Sequence, residues 1–414
     1  MEKDSYLVLR VTGGGAVREA GHEVLRSTVR SHGFSVPTAS AFGVEPPQYR
    51  VDTQVLDAKD YKDLRQDRTV AAIAKPMPLR RIAPVPSAAA APKPAPADGA
   101  TWGVRVTGAL QSPYLGYGVC VAVLDTGIDA GHEAFTGIEL VQKDFTGEGN
   151  GDADGHGTHV AGTIFGQPGS GLRYAVAPGV RRALIGKVIG QNRSATTKEL
   201  IDAIQWAADE RAHIVNMSLG FDFPGLTEYW VQQGLPVDLA TSRSLAQYRD
   251  NVRFFDATMN LLRARSAEFG SPLVVAAAGN ESRRLVKIDH VIEVSPPAAA
   301  DGMVSVAALE SLDADHTRLG VAPFSNIRVS LAAPGHEIYS ARAGGGYTFL
   351  SGTSMASPHV AGVAALWAER QLKQTGRVSM STLDAQLRGN VRSDRLAGSH
   401  YLDVGDGLVT APSA

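Results

Sequence analysis

The chain has 414 residues, 44% hydrophobic and 20% charged, the proportions of an ordinary globular protein, which excludes wholesale disorder. Forty basic against 42 acidic side chains leave a net charge of −2, without the basic excess that a nucleic-acid partner demands. The single cysteine, Cys120, cannot close an intramolecular disulfide, so the core holds without covalent staples, as suits a reducing compartment. The first thirty residues carry scattered charges and no signal-peptide core, and no run of about 18 apolar residues occurs. The expectation is a cytoplasmic protein without nucleic-acid or membrane partners. In chain order, residues 6–11 (YLVLRV) read as a strand, and residues 17–31 have helical spacing through Ala20, Val24, Leu25 and Val29. Residues 49–56 alternate apolar and polar side chains as a half-buried strand does, residues 58–68 form a short charged helix, and residues 70–74 a final strand. This β-α-β-α-β order describes a small α+β domain over residues 1–82. Residues 82–100 (IAPVPSAAAAPKPAPADGA) hold five prolines among alanines, so 83–100 is predicted to be an extended linker. Beyond it, unbroken apolar runs at 119–124, 183–189, 213–217, 273–278 and 303–309 read as strands covered on both faces. With helical stretches between them, notably 197–211 and 355–372, residues 101–414 are predicted to form a doubly wound parallel α/β domain.

Active sites of such sheets lie at the carboxyl ends of the strands, so the residues after those runs come first. The run Val121-Ala122-Val123-Leu124 ends in Asp125-Thr126-Gly127, and an aspartate there is costly to bury without a partner. His156 follows within Gly155-His156-Gly157-Thr158-His159. Much later Ser354 opens a helix in Gly352-Thr353-Ser354-Met355-Ala356-Ser357-Pro358, where free N–H groups point at any oxyanion formed beside it. Pro358 is expected to be tolerated by lying in the first turn. Aspartate, histidine and serine are the parts of nucleophilic acyl transfer: the histidine takes the hydroxyl proton and the aspartate fixes its tautomer. Taken singly, such an aspartate is usually a turn residue and such a serine an N-cap.

Six blocks occur in order: VAVLDTGID from Val121, HGTHVAGT from His156, NMSLG from Asn216, AAAGN from Ala276, LAAPG from Leu331 and GTSMASPHVAG from Gly352. Through them the region from about residue 102 to 411 resembles the subtilisin-like serine peptidases. The resemblance implies that Asp125, His156 and Ser354 form the triad. It also implies that Asn280 supplies the oxyanion-hole amide together with the backbone N–H of Ser354. Ser218, Leu219 and Gly220 become an edge that pairs with the substrate backbone, and Ser194, within Arg193-Ser194-Ala195, the opposite edge. The activity implied is endopeptidase hydrolysis, with protein or peptide substrates. A peptide ligase or macrocyclase uses the same triad, with an amine in place of water, and a non-enzymatic scaffold would keep the fold.

His159 and His359 sit in these blocks without a mechanistic role and read as packed helix residues. Asp144, Glu148, Asp152 and Asp154 alternate with glycines, the oxygen-rich composition that can hold calcium, although a solvated loop fits the spacing better. The loop after the histidine helix, residues 165–171, does not match the family's usual calcium-binding loop, so no metal or cofactor is expected. The stretch 221–270 exceeds what a compact family domain needs. It reads as a rim of the cleft or as a helical surface insert. Ser295-Pro296 marks a candidate cis bond. The N-terminal domain resembles the family's inhibitory prodomains, which implies that Lys75–Arg81 lies in the cleft as a product-like tail and that the domain inhibits in cis; an accessory domain binding something else is the alternative.

Overall fold

In the computed structural model, residues 3–12, 48–85, 99–168, 171–191, 196–221 and 223–413 are described. The N-terminal domain has strands β1 (Asp4–Thr12), β2 (Gln48–Leu56) and β3 (Val70–Ala74), with helix α1 (Ala58–Gln66) between the last two. They make an antiparallel sheet in the order β2-β1-β3. Asp57 begins α1 as a capping box, its carboxylate accepting from the N–H groups of Lys59 and Asp60. The helix expected over residues 17–31 lies outside the described residues. A short strand β4 (Leu79–Arg81) follows, leaves this sheet, and crosses to the larger domain.

That domain holds β5 (Cys120–Asp125), β6 (Glu139–Asp144), α2 (His156–Phe165), β7 (Arg182–Lys187), α3 (Thr197–Asp209), β8 (Ile214–Met217) and β9 (Leu219–Phe221). Helices α4 (Phe223–Gln232) and α5 (Val237–Phe269) come next, then β10 (Leu273–Ala277), β11 (Met303–Ser311), β12 (Leu319–Val321) and β13 (Leu331–Pro334). The chain ends with the hairpin β14 (Ile338–Ala341) and β15 (Tyr347–Leu350), helix α6 (Thr353–Thr375), and the two-residue strands β16 (Val391–Arg392) and β17 (Leu408–Val409). All five apolar runs became strands of one sheet, in the order β16-β17-β13-β11-β10-β8-β5-β7-β6. The pairings from β17 to β6 are parallel, while β16 and β12 add antiparallel margins, so the sheet is mixed and mostly parallel.

Alternation along the strands builds two cores. Val121 and Val123 face a layer with Val160, Ile164, Val360 and Val363 from α2 and α6. Ala122 and Leu124 face the opposite layer, with Leu200 and Ile204 of α3 and Phe254 and Phe255 of α5. Leu7, Leu9, Tyr49, Val51 and Met77 belong to that second cluster, so the N-terminal domain shares the core of the larger one. Polar contacts register the two surfaces: Asn251 Nδ2 donates to Lys75 O at 2.9 Å, Gln247 Nε2 to Pro76 O at 2.8 Å and Gln205 Nε2 to Tyr49 O at 3.1 Å. The stretch 221–270 therefore has two duties. Its long helix α5 carries the N-terminal domain, and α4 lends Pro224 and Glu228 to a cavity of about 680 Å³ beside Asn280. The cis peptide bond falls at Pro296-Pro297, one residue beyond the expected position.

Candidate active site

Chain order places the site. After β5 the chain adds β6 and β7 on one side, then β8 on the other, so the connection reverses direction at the carboxyl end of β5. Asp125 is the last residue of that strand and is fully buried. Its Oδ1 accepts from Thr126 N at 2.8 Å and from His156 Nδ1 at 2.7 Å. His156 begins α2, which lies against the strand end because Gly157 has no side chain: a Cβ there would stand 2.2 Å from Gly127 O. The imidazole is thereby fixed with Nδ1–H toward the carboxylate, leaving Nε2 for proton traffic. Among the described residues Nε2 has no hydrogen-bond partner, although it is buried.

Ser354 is the second residue of α6 and fully buried. Its hydroxyl reaches Ile82 O at 3.2 Å and Ser218 O at 3.3 Å. Asn280 follows β10, and its Oδ1 accepts from Thr353 N and Oγ1, both at 2.9 Å. Those two bonds turn Nδ2 toward the cleft, where it donates to Ala83 O at 3.0 Å. Gly352 permits the approach, since a Cβ there would lie 2.8 Å from Nδ2. The fold thus brings Asp125, His156, Asn280 and Ser354, drawn from four separate segments, to one end of the sheet.

Of the three residues expected as a substrate edge, Leu219 and Gly220 lie in β9, which pairs with β4 in antiparallel register, Leu79 opposite Phe221, Arg80 opposite Gly220 and Arg81 opposite Leu219, while Ser218 precedes that strand. The chain then continues past Ser354, and Val85 N donates to Ser351 O at 2.8 Å on the far side. It is a strand running through, where the sequence suggested a tail ending at the cleft. Ser194 lies outside the described residues, and Pro78 bridges Thr196 just beyond it.

Pro358 is the sixth residue of α6, beyond the first turn expected for it. Its ring removes the N–H that would reach Ser354 O, and the Ser218 hydroxyl donates to that oxygen instead at 3.1 Å. Ser218 therefore supports the helix through its side chain and faces the cleft through its carbonyl.

The acidic loop has a structural use that its composition concealed. Asp152 Oδ1 accepts from Thr126 Oγ1 at 2.9 Å and Gly155 N at 2.8 Å, and Oδ2 from Thr158 N at 2.8 Å and Oγ1 at 2.6 Å. One carboxylate therefore ties the turn after Asp125 to the helix that begins with His156. Asp144 is likewise taken up by Thr146 and Gly149. Among the described residues no group of three or more His, Cys, Asp or Glu side chains is placed to hold a metal ion. Asp152→Ala strands buried donors, each worth about 1–3 kcal/mol, and is expected to lower both the urea midpoint and kcat, with Asp152→Asn recovering part of each; an unchanged kcat would refute the positioning role.

His159 and His359 are buried in helices and bonded to carbonyls, His159 Nε2 to Ile338 O at 3.0 Å and His359 Nδ1 to Met355 O at 2.8 Å. Burial drives their imidazoles down to about 3 and about 4, so both are neutral in the folded state. The unfolded chain titrates them near 6.5 and so binds more protons below that pH. Their contribution to stability is complete above about pH 6.5 and declines as pH falls toward 4. The urea midpoint of Ser354→Ala protein is expected to drop steadily between pH 6.5 and 4; a flat midpoint would contradict the burial of these rings as neutral groups.

Residues 116–394 match the Subtilase family. The chain is 32% identical over 366 residues to a thermostable alkaline protease of Halalkalibacterium halodurans, covering 87% of this chain and 81% of that protein. It is 34% identical over 259 residues to an intracellular serine protease of Paenibacillus polymyxa, covering 61% and 67% respectively. A crystal structure of a cold-adapted subtilisin-like serine proteinase superposes with a TM-score of 0.56 at 27% identity, over 76% of this chain and 100% of that one. With the family match spanning all four converging segments, the chain belongs to the subtilase family of subtilisin-like serine peptidases.

Proposed function

We propose that the chain is an endopeptidase working through an acyl-enzyme on Ser354, and that its N-terminal domain restrains it in cis. In this reading Ser354 Oγ attacks the carbonyl carbon of a peptide bond while His156 Nε2 takes the hydroxyl proton. The tetrahedral oxyanion forms against Asn280 Nδ2 and the N–H groups opening α6. The C–N bond then breaks, His156 hands its proton to the leaving amine, and water releases the acyl group by the same steps in reverse. Asp125 holds the imidazole and stabilises its charged form. Every step uses side chains and backbone of this chain, and the proposal includes no cofactor. Substrates are proteins or peptides laid along β9. Recognition of this kind, by backbone pairing, is largely indifferent to side chains.

The observation that carries the reading is the path of residues 79–85. Leu79–Arg81 pair with β9 as a substrate would, and the next two residues bring successive carbonyls to the reactive groups: Ile82 O to the Ser354 hydroxyl and Ala83 O to the Asn280 amide. Attack needs one carbonyl to meet both groups. Dividing them between two residues supports a segment that fills the cleft as a poor substrate, hence a restraint. A cytoplasmic location completes the proposal, supported by the lone, buried, unpaired Cys120.

Fluorophosphonate labelling of the full chain tests both halves. Leu79 is 1% exposed, so Leu79→Asp sets a carboxylate in an apolar seat. The loss of roughly 1.5–3 kcal/mol of burial alone predicts a ten- to hundredfold faster labelling of the variant. Equal rates would remove the restraint, and labelling that persists in Ser354→Ala would remove the nucleophile.

A further inference from the structure

Two carboxylates border the cleft, one beside each reactive group. Asp154 lies two residues before His156, and Glu281 directly follows Asn280. The strand now in the cleft carries two consecutive arginines, and each meets one of these acids: Arg81 pairs with Asp154, and Arg80 Nη2 stands 3.3 Å from Glu281 Oε1. Consecutive residues of a strand point to opposite sides, so a basic pair can be matched only by acids on both sides of the path. The cleft has that arrangement.

Both acids are held by the catalytic domain itself. Asn326, fully buried, donates from Nδ2 to Glu281 Oε2 at 2.7 Å and accepts on Oδ1 from Glu281 N at 3.1 Å. Asp154 Oδ1 accepts from His156 N at 3.3 Å. Each acid is thereby fixed next to Asn280 or His156, and a strand paired with β9 in this register meets both. With the two arginines seated, 30% of the Asp154 side chain and 27% of the Glu281 side chain remain exposed.

We propose that Asp154 and Glu281 select peptide substrates with basic side chains at the second and third positions, counting back from the attacked residue as the first. Ile82, whose carbonyl the Ser354 hydroxyl reaches, holds the first position, Arg81 the second and Arg80 the third. Ile82 is buried, with Gly220 facing it: a Cβ there would lie 3.5 Å from Ile82 Cγ1. An aliphatic residue therefore completes the preferred sequence. The inference rests on the peptidase reading and goes beyond it by naming the substrate class.

The test uses the full chain with Arg80→Ala and Arg81→Ala, which loosens its own occupant and leaves both acids in place. Peptides containing Leu-Arg-Arg-Ile-Ala and Leu-Ala-Ala-Ile-Ala are compared by kcat/KM, and fluorophosphonate labelling of Ser354 is followed in parallel. The arginine peptide is expected to be favoured at least tenfold. Asp154→Asn and Glu281→Gln, which keep shape and oxygen acceptors, should each lower that ratio, and together should bring it near one. Equal kcat/KM for the two peptides, or a ratio that survives the double substitution, would overturn the proposal. If Ser354 takes no label and neither peptide is cut, the peptidase reading fails separately. The same ratio is then read as peptide affinity by fluorescence anisotropy, and equal affinities overturn the selectivity.

Discussion

Ser354→Ala is expected to reduce kcat on a peptide substrate by roughly 10⁶-fold, a magnitude taken from subtilisin itself. The reason lies in how the parts depend on one another. The Nδ1–H of His156 is committed to Asp125 at 2.7 Å, and its Nε2 is buried among the described residues without a partner. It is therefore placed to take a proton, which in the proposed mechanism comes from the serine hydroxyl. Removing the hydroxyl leaves the oriented base with nothing to activate, and removing the base leaves a hydroxyl too weakly acidic to attack. His156→Ala should thus cost about as much as Ser354→Ala, and the double variant scarcely more than either. Asp125→Asn should cost less, about 10⁴-fold, because the imidazole stays in place and takes the wrong tautomer. Steady-state kinetics in the Leu79→Asp background measure all four. Multiplicative losses in the double variant would show that the groups do not act as a unit.

The legible part of this molecule was the part written locally. Asp125 follows an apolar run, Ser354 sits at a helix start, and the glycines around His156 announce close packing, so short windows pointed to these three, whereas Asn280 was indicated only through the family blocks. The five apolar runs became parallel strands for the same reason: burial on both faces leaves no alternation to mislead. What stayed hidden depended on partners distant in sequence. Asp152 looked like one acid among several, because nothing near it announces that Thr126, 26 residues earlier, shares its oxygen. Ser218 looked like a cleft residue, and only the missing N–H of Pro358 explains why its hydroxyl is needed 136 residues away at Ser354 O. The pairing of Arg81 with Asp154, 73 residues apart, depends on where a strand from another domain comes to rest. The second duty of the stretch 221–270 was hidden likewise, since the faces of α5 are assigned only once the N-terminal sheet covers one of them.

Asn280→Ala is expected to lower kcat by about 10²–10³, the size known for the corresponding amide in subtilisin itself, with KM little changed. The split between the constants follows from geometry. Nδ2 makes one hydrogen bond across the cleft, at 3.0 Å to Ala83 O, and the corresponding bond to an attacked carbonyl would strengthen only as that oxygen gains negative charge. Ground-state binding depends mainly on β9, where Arg80 and Arg81 pair with Gly220 and Leu219, and the substitution does not touch those pairs. The amide is also held in orientation by Thr353, whose N–H and hydroxyl both donate to Oδ1 at 2.9 Å. Thr353→Val removes one of the two and should cost roughly tenfold in kcat by letting the amide drift, a positioning effect that leaves the donor present. Asn280→Asp should be worse than alanine above the carboxyl titration range, since it sets a negative charge where the oxyanion forms, and it should recover as the pH falls and the carboxyl becomes a donor. A larger loss in KM than in kcat for Asn280→Ala would place the amide in substrate binding and remove it from the oxyanion site.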